Sequence, residues 1–373
     1  MKKIISVLFL FIICVNVCKA EAEFITIDSV EATIGNDKFK AKLKAFTGVA
    51  GERNEEDVKY YRKEHKVNLS EYSIKKYLIT NKDYQNFLKE TKYLTTYAQE
   101  KNTEYKQELK LDNYPVKRIS FIDAVAYCQW YSDKMGEIYR LPTSAEWEYA
   151  ALANTKRIFP WGDESKVLIS TKTDSVIGRE NFSIYQILED ISPIGMANLM
   201  GGVEYTLDCY DERFYENSPI ENPVCLIPYN ADCVMRGISE YNNLENDVYG
   251  LYDLTWAGFN DYSSYLYFRI VKSDDTVFNK GTVDEAYYCP LKGVASSVNL
   301  YKHPEKTDKF ENYDVNSNLY ILFRSTDSKF YRCTFETKDE NRSAFFNKDC
   351  YVWKTGWVES TQITLINKKW YQN

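Results

Sequence analysis

Histidine is almost absent from this chain. Only His65 and His303 occur in 373 residues. Metal centres built on several imidazoles are therefore excluded, and a Ser-His-Asp hydrolase would have to use one of these two. His65 lies in the charged stretch 52–66 and His303 adjoins Pro304, so both are expected to be solvated surface residues. A concentrated basic patch is also missing, which removes nucleic acid as an expected partner. There is no internal repeat and no low-complexity tract. After residue 17 no stretch is long and apolar enough to cross a bilayer, which takes about 20 residues.

The N-terminus is informative. Met1-Lys2-Lys3 is basic, 4–17 is apolar apart from Ser6 and Asn16, and Ala20-Glu21-Ala22 offers a small-x-small cleavage site. That order reads as a signal peptide over residues 1–22. An uncleaved anchor is one alternative. A lipoprotein acylated at Cys18 is another, opposed by Val17, where lipid attachment wants a small residue. The expected location is periplasmic or extracellular, with envelope attachment in the lipoprotein case. Loss of residues 1–22, which carry Lys2, Lys3, Lys19 and Glu21, takes the net charge from −7 to −9.

Apolar content is 44%, ordinary for a globular protein, and 32 residues are Tyr. Tyrosine combines a wide apolar face with a polar tip, which suits loop-rich folds and recognition surfaces. Nine cysteines occur. Beyond the leader remain Cys128, Cys209, Cys225, Cys233, Cys289, Cys333 and Cys350. Export permits disulfides, and the odd number leaves one thiol over. Cys225 with Cys233, and Cys333 with Cys350, are the expected pairs by proximity.

Strands are expected at Phe24 to Ile27 and at Asn68 to Ile74, where apolar and polar residues alternate. Thr80 is an N-cap before Tyr84, Phe87 and Leu88 at helical spacing. Ser120 opens a second helix that carries Ala124, Val125, Cys128 and Trp130 and ends at Gly136. Thr143 and Glu146 form a capping box for a third, with Trp147, Ala150 and Ala151 facing inward. From Phe159 onward loops and short strands are expected, closing with a strand at Phe268 to Val271. Residues 274–289 read as a linker, and the remainder reads all-β.

Several segments together resemble the sulfatase-modifying-factor, or formylglycine-generating-enzyme, family. These are Tyr114-Pro115-Val116, Ser120, Asp123-Ala124, Ala126-Tyr127-Cys128 and Trp130. They continue in family order with Arg140-Leu141-Pro142-Thr143, Ala145-Glu146-Trp147-Glu148-Tyr149-Ala150-Ala151 and Phe159-Pro160-Trp161-Gly162-Asp163. Upstream, Ile74, Lys76-Tyr77, Thr80-Asn81, Tyr84 and Phe87-Leu88 fit the same pattern. The resemblance implies an α+β, loop-rich fold related to C-type lectins over residues 23–273.

In active members two cysteines follow an Arg-Gly-Gly-Ser motif, bind copper as thiolates and oxidise a substrate cysteine. The motif here is Arg236-Gly237-Ile238-Ser239, and the matching positions are Asn242 and Asp247. No catalytic residue is therefore assigned, and copper is not expected. The segment 201–208 resembles a family calcium loop that keeps Glu204 but has Gly202 where an Asn belongs, and Asn181 matches an Asn of the other such loop. The resemblance thus implies at most degenerate calcium sites at Asn181 and Glu204. Related branches use histidine-bound iron, which two scattered histidines cannot build.

Gly356-Trp357-Val358 followed by Ile363-Thr364-Leu365 resembles the end of a bacterial SH3-like domain, over residues 290–373. Such domains bind cell-wall peptides or glycans in aromatic grooves. Trp353, Trp357 and Tyr351 are the candidate groove residues, with core filling as the other reading. The expected function is an exported, non-catalytic binding or scaffold component of the bacterial envelope. An envelope protein or a cell-wall glycan or peptide is the expected partner. The alternative is a copper-dependent oxidoreductase with a displaced site.

Overall fold

The computed structural model describes residues 23–37, 63–97, 109–163, 183–184, 190–199, 202–211, 213–226, 232–237, 251–252, 254–263, 266–304, 309–346 and 348–372. In its N-terminal part the described strands are β1 (Phe24–Ile27), β2 (Val30–Ile34), β3 (His65–Leu69), β4 (Tyr72–Lys75) and β5 (Tyr139–Arg140). They continue with β6 (Val203–Cys209), β7 (Asp232–Gly237), β8 (Leu254–Gly258), β9 (Leu266–Tyr267) and β10 (Val271–Lys272). Between them run helices α1 (Asn81–Thr91), α2 (Phe121–Met135) and α3 (Ser144–Leu152).

All three of these described helices start on capping boxes: Thr80 with Asp83, Ser120 with Asp123, Thr143 with Glu146. Each hydroxyl accepts an otherwise unpaired backbone N–H, and each acid returns the bond to the cap residue. Gly136 ends α2 in the left-handed conformation, where a side chain would be disfavoured. Every residue of α2 from Phe121 to Trp130 is buried. The helix therefore runs through the core, with Tyr127 packed between Tyr84, Trp130 and Phe268.

The strands form three sheets in this part: β1-β4-β10-β5, β8-β7-β6-β9 and the hairpin β2-β3. The strand expected over Asn68 to Ile74 is two strands in different sheets. The chain breaks at Ser70, whose N–H donates to Asn222 Oδ1 at 2.8 Å, while Asn68 exchanges backbone bonds with Ile220 and Asn222. The strand expected at Phe268 to Val271 is shorter for a similar reason. The Phe268 and Ile270 carbonyls accept from Ile79 in a loop and from Lys75 at the end of β4.

The C-terminal part is an eight-stranded antiparallel sheet. Its strands are β11 (Val277–Phe278), β12 (Ala286–Val294), β13 (Ser297–Tyr301), β14 (Phe310–Asp314), β15 (Leu319–Ser325), β16 (Phe330–Lys338), β17 (Tyr351–Glu359) and β18 (Thr364–Ile366). A short helix, α4 (Glu340–Phe346), joins β16 to β17. The expectation of a strand-built part holds here, apart from α4. Residues 274–289 do more than link: they supply β11 and the start of β12, because Phe278, Ala286 and Tyr288 are apolar enough to join the core.

One face of this sheet carries its own core of Val298, Leu319, Ile321, Cys333, Phe335 and Val358. The opposite face, with Phe323 and Trp357, shares the core of the N-terminal part. The chain end returns to α2. Gln129 Oε1 accepts the Trp370 N–H at 2.6 Å, and Asp133 accepts the Tyr371 hydroxyl at 2.8 Å.

All seven described cysteines are free thiols. Cys233 faces Cys209 across the β6–β7 ladder, and Cys333 faces Gly356 across β16–β17, so neither expected pair forms. The histidine expectation is also corrected. His65 lies in β3, edge-on to Tyr215 with ring centroids 4.8 Å apart, and burial lowers its pKa. His303 Nδ1 lies 3.3 Å from both oxygens of Asp284. No described helix is long and apolar enough to cross a membrane.

Candidate functional site: a buried arginine–carboxylate frame

The segment that resembles the family's catalytic motif begins on β7, where Arg236 and Gly237 end the strand. Arg236 is fully buried. Its Nη2 lies 2.7 Å from Glu148 Oε2, its Nε donates to Ser144 Oγ at 2.7 Å, and the Tyr215 hydroxyl bridges the guanidinium and Glu148. Glu148 Oε1 accepts the Gly35 N–H at 2.6 Å. A buried charge is tolerated only when paired and hydrogen-bonded, and here both charges are.

Gly237 has φ +111°, and a Cβ there would stand 2.5 Å from the Gly202 carbonyl. Only glycine fits that approach.

Two further buried pairs complete the frame. Arg140 binds Glu146 through two bonds of 2.7 Å, and the same carboxylate caps α3 by accepting the Thr143 N–H at 2.8 Å. Arg269 Nε and Nη2 reach the two Glu204 oxygens at 2.5 and 2.8 Å. Arg269 also donates to the carbonyls of Lys75, Lys76 and Ala197. One guanidinium thereby ties β6 to two loops and to the end of β4.

Asp208 sits beside the Arg236 cluster. Its oxygens accept the N–H groups of Ser144 at 2.6 Å and Cys225 at 2.9 Å. Burial pushes its carboxyl up to about 6, against the opposing pull of those two donors and of Arg236. A cavity of about 10 Å³ opens next to it, bounded by Ser144, Cys209, Asp211, Tyr215 and Cys225. That is room for about one water molecule and no substrate.

A larger groove of about 450 Å³ lies where the C-terminal end of α2 meets β12. Ile138, Tyr139, Tyr288 and Leu291 line it, with Asp133 and Lys369 at its rim. It is large enough for a small ligand.

Asn242, Asp247 and Asn181 lie outside the described residues. Glu204 is placed, and both of its oxygens are engaged by Arg269. Gly202 brings no side-chain oxygen, and the described residues contain no group of three or more His, Cys, Asp or Glu able to hold a metal. Calcium, a hard cation that wants six or more oxygens, does not fit at Glu204. Copper does not fit the described thiols either. Cys233 donates its S–H to the Ala257 carbonyl, and burial holds its pKa well above the usual range.

The aromatic groove expected in the C-terminal sheet is not formed. Trp357 is wholly buried in the shared core and Trp353 packs against that core, while Tyr351 is 46% exposed. Trp353 and Trp357 share the inner face, where Trp357 is wholly and Trp353 partly buried. Tyr215 and Arg269 were missed as frame residues. An arginine inside the apolar run Leu266 to Val271 was a legible signal, whereas nothing local marked Tyr215.

The family description "Sulfatase-modifying factor enzyme 1-like domain" matches residues 20–266. This chain belongs to that family. The formylglycine-generating enzyme of Mus musculus is 46% identical over 57 residues, covering 15% of this chain and 14% of that protein. The inactive C-alpha-formylglycine-generating enzyme 2 of Bos taurus is 28% identical over 138 residues, covering 26% of this chain and 44% of that one. The chain thus spans less than half the length of either curated relative. Among solved structures, PvdO from Pseudomonas aeruginosa is 16% identical with a TM-score of 0.47, covering 67% of this chain and 94% of PvdO.

Proposed function

We propose that this family member is a non-catalytic binding or scaffold component of the bacterial envelope, exported by its N-terminal leader. One observation carries the reading. The Arg236–Glu148 frame that holds the motif is intact, yet Asn242 and Asp247 stand where the resemblance requires two thiols. Amide and carboxylate oxygens are poor ligands for Cu(I), which selects soft sulfur. The similarity to a bovine protein named as inactive supports the same reading. The groove between α2 and β12, with its tyrosine walls and mixed-charge rim, is the place for a cell-wall glycan or peptide fragment.

A second reading rests on relatives that are named formylglycine-generating enzymes. On that reading the chain oxidises a cysteine peptide at a displaced copper site. Copper(I) titration of the purified protein, followed by mass spectrometry of a cysteine peptide incubated with it in air, separates the two. The non-catalytic reading expects no stoichiometric tight site and an unchanged peptide. Tight copper binding with conversion of the cysteine would overturn it.

A further inference from the structure

The thiols near the Arg236 frame are arranged as a pair. Cys209 and Cys233 are direct partners across β6 and β7. The next residue, Tyr210, donates its N–H to the Asp232 carbonyl, and the Cys209 N–H goes the other way, to Cys225. Cys209 and Cys233 are therefore a non-hydrogen-bonded pair of the ladder, the kind whose Cα atoms stand about 4.5 Å apart with side chains on one face. Disulfides span Cα separations of about 4.4–6.8 Å.

A second feature distinguishes Cys209. The Arg332 guanidinium of β16 donates to its sulfur and to the Leu226 carbonyl. Arg332 is 2% exposed, and none of the ion pairs among the described residues provides it with a carboxylate. A guanidinium keeps its charge even when buried. Burial pushes the Cys209 thiol up, as it does that of Cys233, and the Arg332 cation pulls Cys209 back toward the thiolate, the reactive form of cysteine. The Cys225 backbone N–H is committed to Asp208.

We propose that Cys209 and Cys233 are a redox pair that closes a cross-strand disulfide, and that closure withdraws the sulfur acceptor from Arg332. The Cys209 thiolate attacks one sulfur of a small disulfide oxidant and expels its first thiolate. Cys233, passing its proton to the thiolate expelled first, attacks the mixed disulfide at the Cys209 sulfur and expels the second. Two electrons pass to the oxidant, and one protein S–S bond forms. Arg332 then keeps Leu226 O but loses its partner in β6. The pair is a modification site whose state is read at the junction between the C-terminal sheet and the N-terminal part.

The test is exchange of the folded, full-length protein with oxidised glutathione, followed by differential alkylation and peptide mapping of each cysteine. The expected result is a Cys209–Cys233 cross-link that forms faster than global unfolding and survives Cys225→Ser. Hydrogen exchange in β16 should then rise and return on reduction. Arg332→Gln should slow closure severalfold, because the Cys209 thiolate loses the cation beside it. Cross-linking only as fast as unfolding would overturn the proposal, as would capture of Cys209 by Cys225 or unchanged exchange in β16 on closure. The wild-type measurement stands even if the Arg332 variant fails to fold.

Discussion

Substituting Glu204→Gln tests the claim that an arginine, rather than a metal, neutralises this carboxylate. Gln keeps the shape and one acceptor oxygen but presents N–H groups where Arg269 needs its second acceptor. The Arg269 side chain is fully buried and that of Glu204 is 1% exposed, so water cannot replace the lost partner. Removing one member of such a pair costs about 3–5 kcal/mol. The three carbonyls that also accept from Arg269 place the expected loss at the lower end, about 3 kcal/mol. With a urea dependence of about 3 kcal/mol per molar, the unfolding midpoint should fall by roughly 1 M. Tryptophan fluorescence is a suitable probe, because Trp147 is buried in the core that contains α3. Calcium should shift neither protein. A midpoint change below about 0.3 M, or a calcium-dependent stabilisation present in the wild type and lost in the variant, would refute the argument.

Two other outcomes follow from the same geometry. The carboxyl of Asp208 is raised to about 6 in the folded state, against about 3.9 unfolded. The folded chain therefore binds the extra proton between those values, and the contribution of Asp208 to stability falls by up to about 3 kcal/mol as pH rises from 4 to 6. Asp208→Asn should flatten that part of the stability–pH curve, and an unchanged slope would remove the effect. Trp357→Ala should cost about 3–5 kcal/mol because it empties a buried site at the shared core. Retained stability with lost binding to purified cell wall would instead restore the groove reading.

What was legible in advance was what local chemistry decides. The three capping boxes sit where Thr80, Ser120 and Thr143 are followed three residues later by an acid, so the helix starts needed no tertiary information. Arg140 and Glu146 fall within one turn of each other through the Leu141-Pro142-Thr143 bend, and their pairing could be anticipated. The partners of Arg236 could not, since Glu148, Ser144 and Tyr215 are brought to it only by the packing of α3 against β7 and of the turn 214–216 beside them. The cysteine pairing failed for the same reason. Proximity in sequence favoured Cys225, whereas the β6–β7 register selected Cys209. In the C-terminal sheet the aromatic residues were visible, but which face was covered depended on a neighbouring core the local pattern does not encode.

The placement of β10 sets the order in which the molecule can be completed. It lies between β4 and β5 and pairs with both, yet it is the last strand of its sheet to emerge during synthesis. Until residue 272 is available, β4 and β5 each present an open edge toward the place of a missing middle strand, the state most prone to mispairing. The matched family region ends at 266, so a polypeptide stopped there would carry that gap permanently. Closing it late makes the N-terminal sheet a long-range, slow-forming assembly. The return of Trp370 to α2 delays that contact until residue 370 has been made.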